Sequence, residues 1–188
     1  MTRIEVFIDG SWLSHVCWNF QETTGFKLSH RRLPIAIHEH LKQVGIDGYV
    51  NVHYICSTKP NGQRSQKEQG FLKLLRRIGF NVIEHKLIVN NGKCTEKEVD
   101  MSVACHMLQR GFFTPNPFDV GVLITGDRDF VPALNLMQEC KKDLLLVSYR
   151  NGTYRPTSRH LMKHSAFNLP PFYIHKHIDD LSQIRSVA

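Results

Sequence analysis

Paired cysteines, long apolar runs, internal repeats and low-complexity stretches are all missing from this 188-residue chain. Its five cysteines (Cys17, Cys56, Cys94, Cys105, Cys140) are odd in number and scattered, with no Cys-x-x-Cys. That argues against a disulfide framework and a structural zinc site, and it fits a reducing, cytoplasmic setting. No apolar stretch nears the ~20 residues that span a bilayer, the strongest being Val120–Thr125, so no membrane partner is expected. The opening MTRIEVFIDG reads as a strand and lacks the apolar core of a signal peptide. Acidic residues are in the minority, 17 Asp+Glu against 24 Lys+Arg, and the surplus of +7 favours attraction to polyanions without specifying a fold. Hydrophobic content of 41% excludes a disordered chain and is enough for a real core.

Apolar, β-rich runs at Ile4–Ile8, Tyr49–Cys56, Val82–Val89, Asp119–Thr125 and Asp143–Ser148 predict strands. Between them, apolar residues at helical spacing predict helices over Leu33–Val44, Phe71–Ile78, Glu96–Arg110 and Phe130–Cys140. Gly45, Gly79 and Gly111 serve as their stop signals. Ser57–Gln69 reads as a basic loop leading into a helix, and Asn90-Asn91-Gly92 as a turn. Past Tyr149 the pattern weakens, with a short helix expected near His160–His164 and a short strand near Phe172–His175. Alternating strands and helices predict a doubly wound, mostly parallel α/β sheet over residues 1–150, with 151–188 as a C-terminal extension packed on it.

In open α/β sheets ligands bind beyond the carboxyl ends of the strands. Asp9 follows the first strand and Asp127 follows Asp119–Thr125, so both are expected at that edge if the two strands are neighbours. Asp129 stands near a helix start, where capping also favours a carboxylate, and Asp100 stands in the first turns of the Glu96–Arg110 helix. Carboxylates gathered closely repel and call for a cation. Mg²⁺ or Mn²⁺ suits an all-oxygen donor set and activates water for attack on a phosphodiester. Each acid also has an ordinary reading, as turn residue, N-cap or solvated helix residue, and only their convergence points to a site.

Three segments carry a resemblance: VFIDGSWL (Val6–Leu13), TEKEVDMSVACHML (Thr95–Leu108) and VLITGDRDFVPALNLM (Val122–Met137). In order and spacing they resemble the NYN-domain family, especially its LabA-like branch, within the PIN-like nuclease superfamily. The likeness covers roughly residues 4 to 150, and the third segment is its most specific part. It implies a PIN-like three-layer α/β/α fold with strand order 3-2-1-4-5. It also implies that Asp9, Asp100, Asp127 and Asp129 are the catalytic, metal-binding set. Lys97 matches the basic residue of the middle motif, and Thr125 the small hydroxyl residue before Gly-Asp, with a supporting role by hydrogen bonding. Where the family often has Asn three residues after the first Asp, this chain has Trp12, with Ser11 as a candidate substitute.

Lys59, Arg64 and Lys67 in the loop after the second strand, with Lys97 and Arg128, are candidate phosphate contacts or simply solvated cations. The expected function is a Mg²⁺- or Mn²⁺-dependent endoribonuclease acting on single-stranded RNA, with a homodimer also open. A non-catalytic RNA-binding or regulatory module is the alternative, and Trp12 is the residue that favours it. A small-phosphate hydrolase ranks third, because Asp9-Gly10-Ser11 lacks a nucleophilic Asp-x-Asp.

Overall fold

The computed structural model describes residues 1–58, 65–90, 93–95, 99–150 and 156–182. Strand β1 (Thr2–Asp9) is the axis of the molecule. It is followed by helix α1 (Gly10–Thr24), α2 (Arg32–Gln43), β2 (Gly48–Thr58), α3 (Gln66–Arg77) and β3 (Asn81–Lys86). A hairpin of β4 (Ile88–Asn90) and β5 (Lys93–Thr95) precedes α4 (Val99–Phe112), β6 (Val120–Ile124), α5 (Val131–Glu139) and β7 (Asp143–Ser148). The chain then adds α6 (Arg159–Met162), β8 (Phe172–Tyr173) and α7 (Ile178–Leu181). The six-stranded sheet runs β3-β2-β1-β6-β7-β8, and every pair in it is parallel. With the hairpin set aside, its first five strands follow the expected order 3-2-1-4-5, and β8 adds a sixth at the edge.

Burial on both faces explains the apolar strands, since β6 is buried along its whole length. One core layer holds Ile4, Val6 and Ile8 of β1 against α1, α2 and α3. The other holds Phe7 of β1 and Ile55 of β2 against α4 and α5. Helix α1 is absent from the sequence expectations. It forms because Asp9 caps it and because Trp12, Leu13, Val16 and Phe20 bury a stripe at helical spacing. The strand expected over Val82–Val89 ends at Lys86, where its partner β2 ends at Thr58; after a last bond from the Leu87 N–H to the Thr58 carbonyl the chain leaves for the hairpin. Beyond Tyr149, Phe172, Ile174 and Leu181 are buried in the first layer and Leu161 in the second. Among the described residues no helix is long and apolar enough to cross a membrane.

One polar network sits inside the second layer. Glu5, buried in mid-strand, accepts hydrogen bonds from His53 Nε2 and from Arg110 of α4. His53 Nδ1 in turn shares a 3.0 Å bond with His106 Nε2. Burial pushes the Glu5 carboxyl up, but the bonds from His53 and Arg110 outweigh it and hold the group at about 2. The network ties α4 to the sheet and fixes where its first turn lies.

Candidate active site at the carboxyl edge of the sheet

Strands β1 and β6 are adjacent and parallel, with Ile8 opposite Ile124, so their carboxyl ends deliver Asp9 and Thr125 side by side. Thr125 is fully buried and makes two bonds. Its hydroxyl donates to Asp9 Oδ2 at 3.0 Å and accepts from the Asp127 N–H at 3.2 Å. Asp9 Oδ1 accepts the Trp12 N–H at 3.1 Å, which caps α1. Asp127 Oδ1 accepts the Asp129 N–H at 3.0 Å and opens the short 3-10 turn Arg128–Phe130. One hydrogen-bonded chain therefore joins Asp9, Thr125, Asp127 and the backbone of Asp129. Asp9 is only 3% exposed, whereas Asp127 and Asp129 are exposed.

Asp100 lies in the first turn of α4, the helix whose Arg110 pairs with Glu5 of β1. Asp100 is exposed. Among the described residues, no three His, Cys, Asp or Glu side chains form a group that holds a metal ion by itself.

Two features fit a hard divalent cation all the same. The candidate donors are all carboxylate oxygens, and Mg²⁺ is commonly held by one or two carboxylates with water and substrate phosphate completing the shell. The Thr125 hydroxyl ties the Asp9 carboxylate to the backbone of Asp127, so the two residues sit next to each other at the sheet edge.

Trp12 occupies the space behind the Gly126-Asp127 turn. Its indole is 4% exposed and lies so close to Gly126 that a Cβ there would meet Trp12 Nε1 at 2.1 Å. The turn is held on its other side by the C-terminal extension, where Ser158 donates its N–H to the Gly126 carbonyl at 2.9 Å. The sequence gives no hint of that bond.

Arg128 is exposed and, with Asp129, Pro132 and His160, lines an open depression beside the acids. Lys67 is exposed in the first turn of α3. Lys59, Arg64 and Lys97 lie outside the described residues. Ser11 lines a second cavity, on the far side of Asp9, between α1, β2 and α3. Glu68, Ser57 and Phe71 share that cavity. None of those three was singled out from the sequence, since their meeting depends on three separate elements. Only the pattern Ser65-x-x-Glu68 was visible, and it is used locally, with Ser65 Oγ accepting the Glu68 N–H.

A family model described as NYN domain matches residues 3–166. No curated protein matches the chain.

Proposed function

The chain belongs to the NYN-domain family, within the PIN-like nuclease superfamily, and we propose that it is a metal-dependent endoribonuclease of the LabA-like branch acting on single-stranded RNA. The observation that supports this reading is the Thr125 bridge, which links the Asp9 carboxylate at the end of β1 to the backbone of Asp127 just past the adjacent parallel strand β6.

In this reading Asp9 and Asp127 would hold Mg²⁺ or Mn²⁺, with Asp100 and Asp129 completing the acidic set. The ion supplies an activated water and offsets the charge that develops on the attacked phosphate. The protein's own part is orientation. The Trp12 N–H and the Thr125 hydroxyl fix both oxygens of Asp9, so that carboxylate needs no reorganisation when substrate arrives. Asp127, being exposed, is open to substrate where Asp9 is enclosed. Arg128 lies between the two outer acids in sequence and offers a guanidinium to a flanking phosphate. Lys59, Arg64, Lys67 and Lys97 extend the positive surface, and Ser11 supports the site from the first turn of α1.

A second reading is favoured by one specific observation. Trp12 packs its indole against Gly126, where relatives often have Asn. If that amide orders the attacking water in relatives, this chain would keep the acids and act as an RNA-binding module.

Labelled single-stranded RNA, incubated with the purified chain and Mn²⁺ or Mg²⁺, separates the two. Cleavage that disappears in Asp127→Asn supports the nuclease. Binding without cleavage under every metal condition supports the module. Cleavage that persists in Asp127→Asn removes the site assignment.

A further inference from the structure

We propose that the cavity on the α1 side of Asp9 is a base-recognition subsite that takes an unpaired guanine of the bound RNA, read by the Glu68 carboxylate. This rests on the RNA reading given above. The cavity holds about 200 Å³ and is walled by the start of α1, the carboxyl end of β2 and the first turns of α3. That is several times the ~30 Å³ a water takes in the liquid. It is below the ~300 Å³ at which pockets for larger ligands begin. A single planar base fits that range, and a whole nucleotide does not.

Its position is set by the chain. Gly10 and Ser11, which line it, directly follow Asp9, so an occupant lies one residue from the acid pair. On the opposite side of the acids lies the depression bearing Arg128 and His160. A strand crossing Asp9 and Asp127 thus meets a cavity on one side and an open depression bearing Arg128 on the other. The open surface suits phosphate, and the cavity suits a base.

The lining has the chemistry for that. Phe71 and Tyr54 stand edge to face, with centroids 5.9 Å apart, and supply an aromatic wall against which a base can pack. Ser11 and Ser14 bring hydroxyls. Ser57 contributes an Oγ that is buried and has no hydrogen-bond partner among the described residues. Buried hydroxyls are normally bonded, so this one calls for a partner from outside. Glu68 is the one formally charged side chain among the described lining residues. A carboxylate repels phosphate and accepts from N–H groups. Of the four RNA bases, guanine alone offers two parallel donors on one edge, its ring N1–H and its exocyclic amine, and these match a carboxylate's two oxygens.

The test measures affinity without cleavage. The full chain is titrated, in EDTA, with fluorescent eight-nucleotide oligouridylates carrying G, inosine, A, C or U at one central position. The G oligomer is expected to bind about ten-fold more tightly than the U oligomer. Inosine, which lacks the amine, should fall between them. Glu68→Gln retains helix-compatible chemistry in the first turn of α3 but loses the paired acceptor, and it should erase the preference while leaving oligouridylate affinity unchanged. Ser14→Leu, at an exposed helix position on the cavity wall, should erase it by filling the space. Equal affinity for all five oligomers, or a preference that survives both variants, overturns the subsite and leaves the nuclease reading standing. A Glu68-dependent G preference in a protein that never cleaves supports the subsite and defeats the nuclease reading. Failure to bind any oligomer overturns the subsite and leaves the nuclease reading to the cleavage assay with metal.

Discussion

Replacing Thr125 by valine keeps the shape of the side chain and removes the hydroxyl that joins the two strand-end acids. The residue is fully buried, so no water can substitute for the lost group without repacking. Two bonds go at once. Asp9 Oδ2 loses a donor at 3.0 Å, and the Asp127 N–H loses an acceptor at 3.2 Å. A bond to a charged group contributes about 1.5–3 kcal/mol, and an abandoned buried partner costs about 1–3 kcal/mol. Thr125→Val should therefore destabilise the chain by about 2–4 kcal/mol. Thr125→Ser keeps the hydroxyl and loses one methyl, for about 1 kcal/mol. Urea unfolding of both variants checks the ordering. A cycle with Asp9→Asn checks the cause, because removing the carboxylate's charge should shrink the valine penalty by at least ~1 kcal/mol. RNA cleavage, measured where all variants are folded, should fall much further in the valine variant than in the serine one. A valine variant within ~0.5 kcal/mol of the serine variant would refute the bridge as the link between the acids.

Two further outcomes follow from the same geometry. Gly126→Ala puts a Cβ 2.1 Å from Trp12 Nε1, and overpacking of that kind costs about 1–3 kcal/mol; in a Trp12→Ala background the penalty should largely vanish, and thermal or urea melts of the four proteins read it directly. Acid should weaken the fold between pH 6.5 and 4, because burial lowers His30 to about 4 and burial, with His53 and Arg110, lowers His106 to about 4. In that window the unfolded chain binds more protons than the folded one, so stability rises with pH, by at most about 1.4 kcal/mol per unit for His30 and by less for half-buried His106, where solvent screens the charge. Glu5, held at about 2, adds a loss in the same direction as pH falls from 4.5 towards 2. His30→Gln should flatten the slope between pH 6.5 and 4, and an unchanged slope in urea melts at pH 6.5, 5.5 and 4.5 would remove His30 from the account.

What the sequence showed of this fold follows the strength of local signals. The largely apolar runs Ile4–Ile8, Asp119–Thr125 and Asp143–Ser148 became β1, β6 and β7, because a parallel strand buried on both faces is apolar over most of its length. Asp9 and Asp127 were legible for the same reason, as the first polar positions at or after such strands. Helix α1 was not legible. Its apolar stripe is present, but Trp18 is exposed on it, and neither its first nor its last turn carries the charge that marks a helix end. Gly111 illustrates a signal with two meanings. It reads as a helix stop, yet α4 runs on to Phe112, and a Cβ at Gly111 would stand 3.0 Å from Met137 Cε, so packing against α5 asks for glycine there. The buried charge of Glu5 was not read from the sequence, because its partners come from 48 and 105 residues away. The cavity at Glu68 needed three elements to close and left no mark in any one of them.

Burial decides which acid can report on function. Asp9 is enclosed and serves the fold twice, as the cap of α1 and as the acceptor of Thr125. Losing its charge weakens both bonds, by an amount comparable with that of losing the Thr125 hydroxyl, and α1 carries much of one core layer. Activity lost in Asp9→Asn is therefore the joint outcome of a missing ligand and a loosened helix. Asp127 is exposed, and its side chain accepts one backbone N–H that opens a three-residue turn. An amide oxygen can keep that bond, so Asp127→Asn should cost less than ~1 kcal/mol in stability. It removes the negative charge that a cation or an approaching phosphate would meet first. If cleavage is lost while urea stability stays within that limit, the loss belongs to the chemistry at the sheet edge and not to the fold that carries it.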